Sequence, residues 1–323
     1  MKIGGVELKY GLCLAPMAGY SDRAMRAVCH RYGAEYSVSE MISARAVVFG
    51  DKKTHKLAEI SIDEGPVALQ IFGSEPSIMA EAAGLLSGGE SGFLAPVAID
   101  INMGCPVHKI FSNGEGSALM RSPELIEKIV RATNAATSLP VTVKLRLGID
   151  RDSINVTECA TAAESGGAAA VCVHGRTRTQ MYSGECDYEA IADVVRAVKI
   201  PVIANGDITD ARRAISVMKQ TGAAAISIGR GAVGNPFIFS EIAAAIRGEE
   251  YVPPTLRTRV DTAISQLRYA VSVHGEEIAV REARKQIALY LSGFRGAAAV
   301  RARINSATTL TAAESALLSV FDE

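Results

Sequence analysis

Eight short runs of apolar and β-branched residues recur along the first 230 residues and constrain the fold more than any other feature. Their starts lie 23 to 44 residues apart, and helix-like segments separate most of them, which is the pattern of alternating βα units. Eight such units in about 240 residues favour a (β/α)8 TIM barrel over an open sheet. The runs are Leu12–Ala15, Tyr36–Ser39, Val67–Phe72, Val97–Asn102, Val141–Arg146, Ala170–His174, Val202–Asn205 and Ala225–Gly229.

Helix-start signals support this interpretation. Ser21-Asp22 opens one helix, and Ser122-Pro123 opens another with a capping residue followed by proline at the first helical position. Only the stretch 40–66 lacks a clear helical period. Pro253-Pro254 ends the last barrel unit, and apolar residues at helical spacing follow it. We therefore predict a catalytic barrel over residues 1–248 and a small helical domain over residues 249–323.

Composition excludes several classes of protein. No charge-free apolar run approaches the ~18 residues that a membrane span needs. The N-terminus lacks the apolar core of a signal peptide, so we expect a cytoplasmic protein. The six cysteines form no CxxC pair and His30, His55 and His274 have no companions at ligand spacing, so we expect neither a disulfide framework nor a metal site.

The near-neutral total charge of −1 is unevenly distributed. Residues 251–310 contain nine basic and four acidic residues, a net charge of +5, whereas residues 1–250 carry −3. A basic segment attached to a slightly acidic body is typical of a protein that binds a polyanion. An ordinary solvated helix face is the alternative that charge alone leaves open.

Alternation along the predicted strands places polar side chains inside the barrel or at its mouth. A lysine there needs an anion or a polar ligand, because an unpaired buried charge is very costly. Most of these residues come late in their strands, which is the face where TIM-barrel enzymes place their active sites. The predicted inward set is Gln70, Asp100, Asn102, Thr142, Lys144, Arg146 and His174.

Two glycine-containing loops have the composition of a phosphate site. Asn205-Gly206-Asp207-Ile208 follows the seventh run, and Gly229-Arg230-Gly231-Ala232 follows the eighth. Glycine lets backbone N–H groups approach a phosphate, and Arg230 can add a forked hydrogen bond. The loops after strands seven and eight are the usual phosphate site of this fold, so we expect a phosphorylated ligand.

Five motifs together resemble the tRNA-dihydrouridine synthases, most of all their bacterial B-type members. The resemblance runs from about residue 10 to 310, in the family's order. The segment around Asp100-Ile101-Asn102-Met103-Gly104-Cys105-Pro106 resembles that family's catalytic signature. The remaining motifs are Ala15-Pro16-Met17-Ala18-Gly19, His174-Gly175-Arg176-Thr177-Arg178, Asn205-Gly206-Asp207 and Arg281-Glu282-Ala283-Arg284-Lys285.

The resemblance implies FMN as cofactor, NADPH as reductant, uridine in tRNA as substrate, and a monomer. The reaction would add hydride from reduced FMN to C6 of uracil and a proton from Cys105 to C5. The implied cofactor contacts are Pro16, Met17, Ala18, Gln70, Lys144, His174, Asn205, Gly206, Asp207, Gly229 and Arg230. The implied substrate contacts are Asn102, Lys109, Arg176, Arg178, Arg281, Arg284 and Lys285.

The role of Cys105 makes a chemical demand. A proton donor must stay protonated until it reacts, so its pKa must lie near or above the working pH. A nucleophilic cysteine needs the opposite, a depressed pKa. The alternative function is an FMN-dependent dehydrogenase of a free pyrimidine, similar to dihydroorotate dehydrogenase, which leaves the basic extension unexplained. A non-catalytic RNA-binding protein is a further alternative.

Overall fold

The structure is a computed structural model and describes residues 1–322. Its strands are β1 (Lys2–Ile3), β2 (Val6–Glu7), β3 (Leu12–Leu14), β4 (Tyr36–Val38), β5 (Ile42–Ser43), β6 (Val67–Phe72), β7 (Ala98–Met103), β8 (Val141–Leu145), β9 (Ala170–His174), β10 (Val202–Asn205) and β11 (Ala225–Ile228). All eight predicted runs form strands. Strands β1 and β2 form a separate antiparallel hairpin before the barrel.

The eight strands close into a parallel barrel. Their order is β4-β3-β11-β10-β9-β8-β7-β6, and pairing of β6 with β4 completes the circle. Every pairing in this sheet is parallel, and the short strand β5 is added at the end of β6. The TIM-barrel prediction is confirmed. Because all strands point the same way, their carboxyl ends meet at one face.

Helices cover the barrel and continue beyond it. They are α1 (Arg23–Arg31), α2 (Ala44–Val48), α3 (Lys52–Leu57), α4 (Pro76–Leu86), α5 (His108–Ser112), α6 (Pro123–Ala136), α7 (Val156–Ser165), α8 (Tyr188–Ala197), α9 (Ala211–Thr221), α10 (Ile238–Arg247), α11 (Leu256–His274), α12 (Glu276–Ile287), α13 (Ala297–Ser306) and α14 (Leu310–Leu318). No helix in the described part of the chain is long and apolar enough to cross a membrane.

The expected capping residues begin the expected helices. Asp22 accepts a hydrogen bond from the Met25 backbone N–H at the start of α1. Ser122 caps α6 in the same way, with Pro123 at the first helical position. Residues 40–66 hold β5, α2, α3 and a single 3-10 turn. Helices of five and six residues are too short to produce a readable apolar period.

The described residues form two large hydrophobic cores and two smaller clusters. The larger core lies between the barrel strands and helices α1, α2, α4 and α6 to α10, and the second lies among α11 to α14. Phe237 from the barrel joins the second core, with its ring centroid 4.5 Å from that of Tyr32 and 6.3 Å from that of Tyr290. The helical region is thus packed against α1 and the last barrel unit. The boundary at residue 248 falls at the C-cap of α10.

Candidate active site

A cavity of about 890 Å³ opens at the carboxyl ends of the strands. Every cofactor residue implied by the sequence resemblance lines it, together with Asn102 and Cys105. These side chains come from seven different strands or the loops after them, and only the barrel topology brings them together. The set is Pro16, Met17, Ala18, Gln70, Asn102, Cys105, Lys144, His174, Asn205, Gly206, Asp207, Gly229 and Arg230.

Cys105 follows β7 in a short loop at the edge of this cavity. Its backbone N–H donates to Asn102 Oδ1 at 2.9 Å, and its carbonyl accepts from the Ser117 hydroxyl at 2.8 Å. Partial burial raises the pKa of the thiol, although the Val107 backbone N–H and Arg146 oppose this effect. The thiol is therefore protonated at neutral pH, as an acid requires and a nucleophile does not.

Lys144 places a positive charge under the cavity. Its side chain is half-buried on β8, and its ammonium makes no ion pair or hydrogen bond with the residues the structure describes. Burial lowers its pKa and Arg146 adds to this effect, whereas Cys172 and the Asp100 carboxylate oppose it. An unpaired ammonium in such a position is stabilised by an anionic or strongly polar ligand.

His174 lies across the cavity at the end of β9 and is 8% exposed. Burial lowers its pKa well below the ordinary value, and the positive charges of Lys144, Arg146, Arg176 and Arg230 lower it further. The imidazole is therefore neutral at physiological pH. A neutral ring can offer one donor and one acceptor to a ligand.

The backbone of the loop after β10 passes close to the side chain of Cys186. Gly206 has a φ of +123°, and a Cβ there would lie 2.3 Å from Cys186 Sγ. The adjacent Asn205 is held by a 2.7 Å hydrogen bond from its Nδ2 to the Ser227 carbonyl. Only glycine fits at position 206, which leaves open backbone facing the cavity.

Asp207 was predicted to hold the phosphate end of the cofactor, and the structure gives its carboxylate a different environment. It accepts two hydrogen bonds from Arg176, at 2.9 and 2.7 Å, and one from Arg230 at 3.1 Å. Partial burial opposes its ionisation, but the Arg176 hydrogen bonds outweigh this effect and lower the pKa. The carboxylate therefore holds Arg230, whose side chain is 58% exposed, and the contact of the Asp207 loop with a phosphate stays a prediction.

Two arginines predicted near RNA have internal contacts. Arg176 is 2% exposed and forms its ion pair with Asp207, so its side chain is not presented at the surface. Arg178 is half-buried, with its guanidinium carbon 3.6 Å from the centre of the Phe111 ring. Lys109, on α5 beside the Cys105 loop, is exposed.

Arg146 and Tyr182 line the cavity, and the sequence assigned them no role. Arg146 is 3% exposed and donates to the backbone carbonyls of Gly104, Thr177 and Met181. It thereby ties the Cys105 loop to the loop that carries Tyr182. Burial lowers its pKa to about 10. Inward alternation along β8 was the signal for Arg146, whereas nothing local marks Tyr182.

The helical region meets the cavity at its rim. Gln286 on α12 donates from Nε2 to the Tyr20 carbonyl, and Gln266 on α11 donates to Gln286 Oε1 at 2.8 Å. Lys285 lies 4.7 Å from the centre of the Tyr20 ring. Leu289, just past α12, and Tyr20 both line the cavity. The basic helix and the catalytic loops are therefore adjacent.

The three predicted basic contacts on α12 differ from one another. Arg281 and Lys285 are exposed. Arg284 is half-buried and donates to the Ala307 carbonyl at the end of α13. Arg284 thus has a structural partner within the helical region.

Among the described residues, no group of three or more His, Cys, Asp or Glu side chains could hold a metal ion.

A closed TIM barrel with a polar cavity at the carboxyl ends of its strands is the architecture of an enzyme. The sequence pattern of the family described as Dihydrouridine synthase (Dus) matches residues 13–323. The chain belongs to this family.

Several relatives are similar over nearly the whole chain. The tRNA-dihydrouridine synthase B of Vibrio cholerae is 41% identical, covering 100% of this chain and 99% of that protein. The protein of the same name from Pseudomonas aeruginosa is 41% identical, covering 94% and 91%. That from Xanthomonas axonopodis pv. citri is 40% identical, covering 96% and 92%.

Solved structures support the fold. TcOYE with pHBA aligns with a TM-score of 0.56 at 11% identity, covering 80% of this chain and 94% of that one. A variant of NCR from Zymomonas mobilis aligns with a TM-score of 0.54 at 14% identity, covering 80% and 93%. At these identities the likeness concerns the barrel alone.

Proposed function

We propose that this protein is a tRNA-dihydrouridine synthase that reduces the C5=C6 bond of uridines in tRNA, with FMN as cofactor and NADPH as reductant. The observation that carries the proposal is the position of Cys105. In a member of this family, its protonated thiol lies at the edge of a cavity that also contains an unpaired lysine. The chemistry of the surrounding residues supports each part of the reaction.

The residues present fit FMN. A cavity of about 890 Å³ is within the range of small-molecule sites. Gly206 and Gly229 expose backbone beside it, and Arg230 adds a cation for the phosphate group. Lys144 would supply positive charge to a reduced isoalloxazine, which is anionic. His174 and Gln70 provide neutral hydrogen-bonding groups. When bound, FMN supplies the hydride.

The protein supplies the proton. Cys105 holds it on Sγ, and the raised pKa keeps it there until the base is reduced. The Asn102 amide and the Ser117 hydroxyl fix the backbone on either side of that sulfur. The main chain that carries the thiol is therefore held in place at the cavity.

The target uridine must leave the tRNA fold to enter this cavity. Extruding a base costs a few kcal/mol, less from a loop than from a duplex. Exposed cations around the mouth can offset this cost through phosphate contacts. Arg281 and Lys285 on α12 and Lys109 on α5 are exposed, and we assign that role to them. The buried Arg176 contributes instead by holding Asp207 and the loop after β10.

The remaining parts of the proposal concern organisation. Residues 1–248 form the catalytic unit and residues 249–323 the tRNA-binding unit. The enzyme acts as a monomer in the cytoplasm, where its tRNA substrate and NADPH are found. An FMN-dependent dehydrogenase of a free pyrimidine is the competing function.

Product analysis distinguishes the two functions. Purified holoenzyme is incubated without oxygen with NADPH and tRNA that lacks dihydrouridine. The tRNA is then digested, and the masses of its nucleosides are measured by mass spectrometry. A gain of 2 Da on uridine, absent with Cys105→Ala, supports the synthase. If free uridine or orotate is reduced and tRNA is not, the synthase assignment is wrong.

A further inference from the structure

Three polar side chains form a row across adjacent strands below the cavity. Gln70 on β6, Asp100 on β7 and Thr142 on β8 are register partners. The Asp100 carboxylate accepts from Gln70 Nε2 at 2.7 Å and from Thr142 Oγ1 at 2.5 Å. Asp100 is 3% exposed, so these contacts replace water. The row is a fixed feature of the barrel interior.

Hydrogen bonds continue from this row to Cys105. Gln70 Oε1 accepts from Asn102 Nδ2 at 2.8 Å. Asn102 Oδ1 in turn accepts from the backbone N–H groups of Gly104 and Cys105, at 3.2 and 2.9 Å. Two amide side chains therefore connect the Asp100 carboxylate to the backbone of the residue that donates the proton.

The donor-to-acceptor direction of this series of hydrogen bonds depends on Asp100. A glutamine or asparagine amide can exchange its oxygen and nitrogen by a half-turn that hardly changes its shape. Burial raises the pKa of Asp100, whereas the hydrogen bonds from Thr142 and Gln70 and the charge of Lys144 favour its ionised form. An ionised carboxylate only accepts, so it selects the Gln70 rotamer whose NH2 faces it. The Gln70 oxygen must then face Asn102, whose NH2 donates to it. A reversed Asn102 would direct its NH2 against two N–H donors and leave them unsatisfied.

We propose that Asp100 is a positioning residue for proton transfer: its carboxylate orients the Gln70 and Asn102 amides and thereby holds the Gly104–Cys105 backbone with the thiol at the cavity. This role rests on the function proposed above. It also accounts for Asn102, whose carbonyl oxygen accepts from the two backbone N–H groups that hold this loop. A residue that merely fills the barrel would not require an acceptor at position 100.

The matched variants separate orientation from packing. Asp100→Ala removes the acceptor. Asp100→Asn keeps it, because its amide oxygen can accept from Gln70 while its NH2 donates to the Thr142 hydroxyl. Thr142→Val removes the other partner of Asp100 and leaves the chain to Cys105 intact. Asp100→Leu, which has the same branching and a somewhat larger apolar side chain without an acceptor, replaces the alanine variant should that one not fold.

Two measurements are made on each holoenzyme. Hydrogen–deuterium exchange of a peptide containing residues 103–107 reports the Gly104 and Cys105 amides without any need for activity. The rate at which saturating tRNA reoxidises the reduced enzyme reports the chemical step. We expect Asp100→Ala to raise amide exchange and lower the limiting rate, each about 10-fold, as loss of a buried hydrogen-bond partner implies. We expect Asp100→Asn and Thr142→Val to stay within about 3-fold of wild type in both.

Exchange at residues 104 and 105 that is unchanged in Asp100→Ala and Asp100→Leu would overturn the proposal. If Asp100→Asn shows the same exchange and rate as Asp100→Ala, the proposal is also wrong, because the variant still has an acceptor for Gln70. If wild-type enzyme does not reduce tRNA, the proposed function fails, while the exchange measurement still decides whether Asp100 holds the loop.

Discussion

The cavity and the C-terminal helices carry positive charge in opposite ways. At the cavity, Lys144 and Arg146 are largely removed from water and have no carboxylate partner among the described residues. On α12, Arg281 and Lys285 are exposed. A buried unpaired cation interacts strongly with one fixed ligand and is poorly screened by salt, whereas exposed cations act on any polyanion and are screened. The difference supports the proposal that the first region performs the chemistry and the second binds the RNA.

The largest effect is expected when the acid, Cys105, is removed from the cavity. Cys105→Ala should lower tRNA-dependent reoxidation of reduced enzyme about 10² to 10⁴-fold, the usual contribution of a general acid. Bound flavin, measured by absorbance, should not change. Cys159→Ala is the control, since Cys159 is buried on α7 away from the cavity. Equal turnover in the Cys105 and Cys159 variants would remove the acid from the mechanism.

Lys144→Met tests the buried cation itself. Loss of a charged hydrogen-bonding partner of about 1.5 to 3 kcal/mol should weaken FMN binding roughly 10 to 100-fold. The melting temperature of the flavin-free protein should stay the same or rise, because an unpaired buried charge is replaced by an apolar group. Fluorescence titration and calorimetry measure these quantities. A flavin-free variant that melts well below wild type would mean that Lys144 is paired within the protein.

The exposed cations should respond to salt. Arg281→Gln with Lys285→Gln should reduce the slope of log affinity for tRNA against log salt by about 1.4 to 1.8, if each side chain contacts one phosphate. Affinity at low salt should fall, while flavin content stays constant. Lys199→Gln with Lys219→Gln is the control, because both lysines are exposed at the opposite end of the barrel. An unchanged slope in the α12 variant would place the RNA elsewhere.

The smallest effect concerns pH. The acid form of Cys105 is active and burial raises its pKa, so the limiting rate should stay flat between pH 7 and 8 and fall only above the ordinary thiol value of about 8.5. Single-turnover rates at saturating tRNA give this profile. A decline centred below pH 8 would show that the thiol pKa is depressed rather than raised.

The sequence pattern was sufficient for the barrel because strand spacing is a one-dimensional property. Eight apolar runs at regular intervals permit few architectures, and the alternation within β8 correctly turned Lys144 and Arg146 inward. The same alternation placed Gln70, Asp100 and Asn102 together. Comparison with known proteins confirms the family. The roles given to individual residues stay predictions.

The pairing of polar side chains was harder to predict from the sequence. Arg176 and Asp207 are separated by 31 residues, so nothing local indicated that their side chains form an ion pair. Arg284 likewise finds its partner at Ala307, on another helix. The short helices α2 and α3 were not predicted because five or six residues span fewer than two turns, too few to show an apolar period. Each of these features depends on which elements become neighbours, which a linear pattern does not specify.

One experiment tests the division of labour most directly. The rate of flavin reoxidation is measured against tRNA concentration for wild type, Cys105→Ala and the Arg281→Gln/Lys285→Gln variant. We predict that the cysteine variant loses limiting rate and keeps its half-saturating concentration, whereas the α12 variant keeps its limiting rate and needs more tRNA. If the cysteine variant instead loses only affinity, or the α12 variant loses only limiting rate, the two regions do not have the roles that their charges indicate.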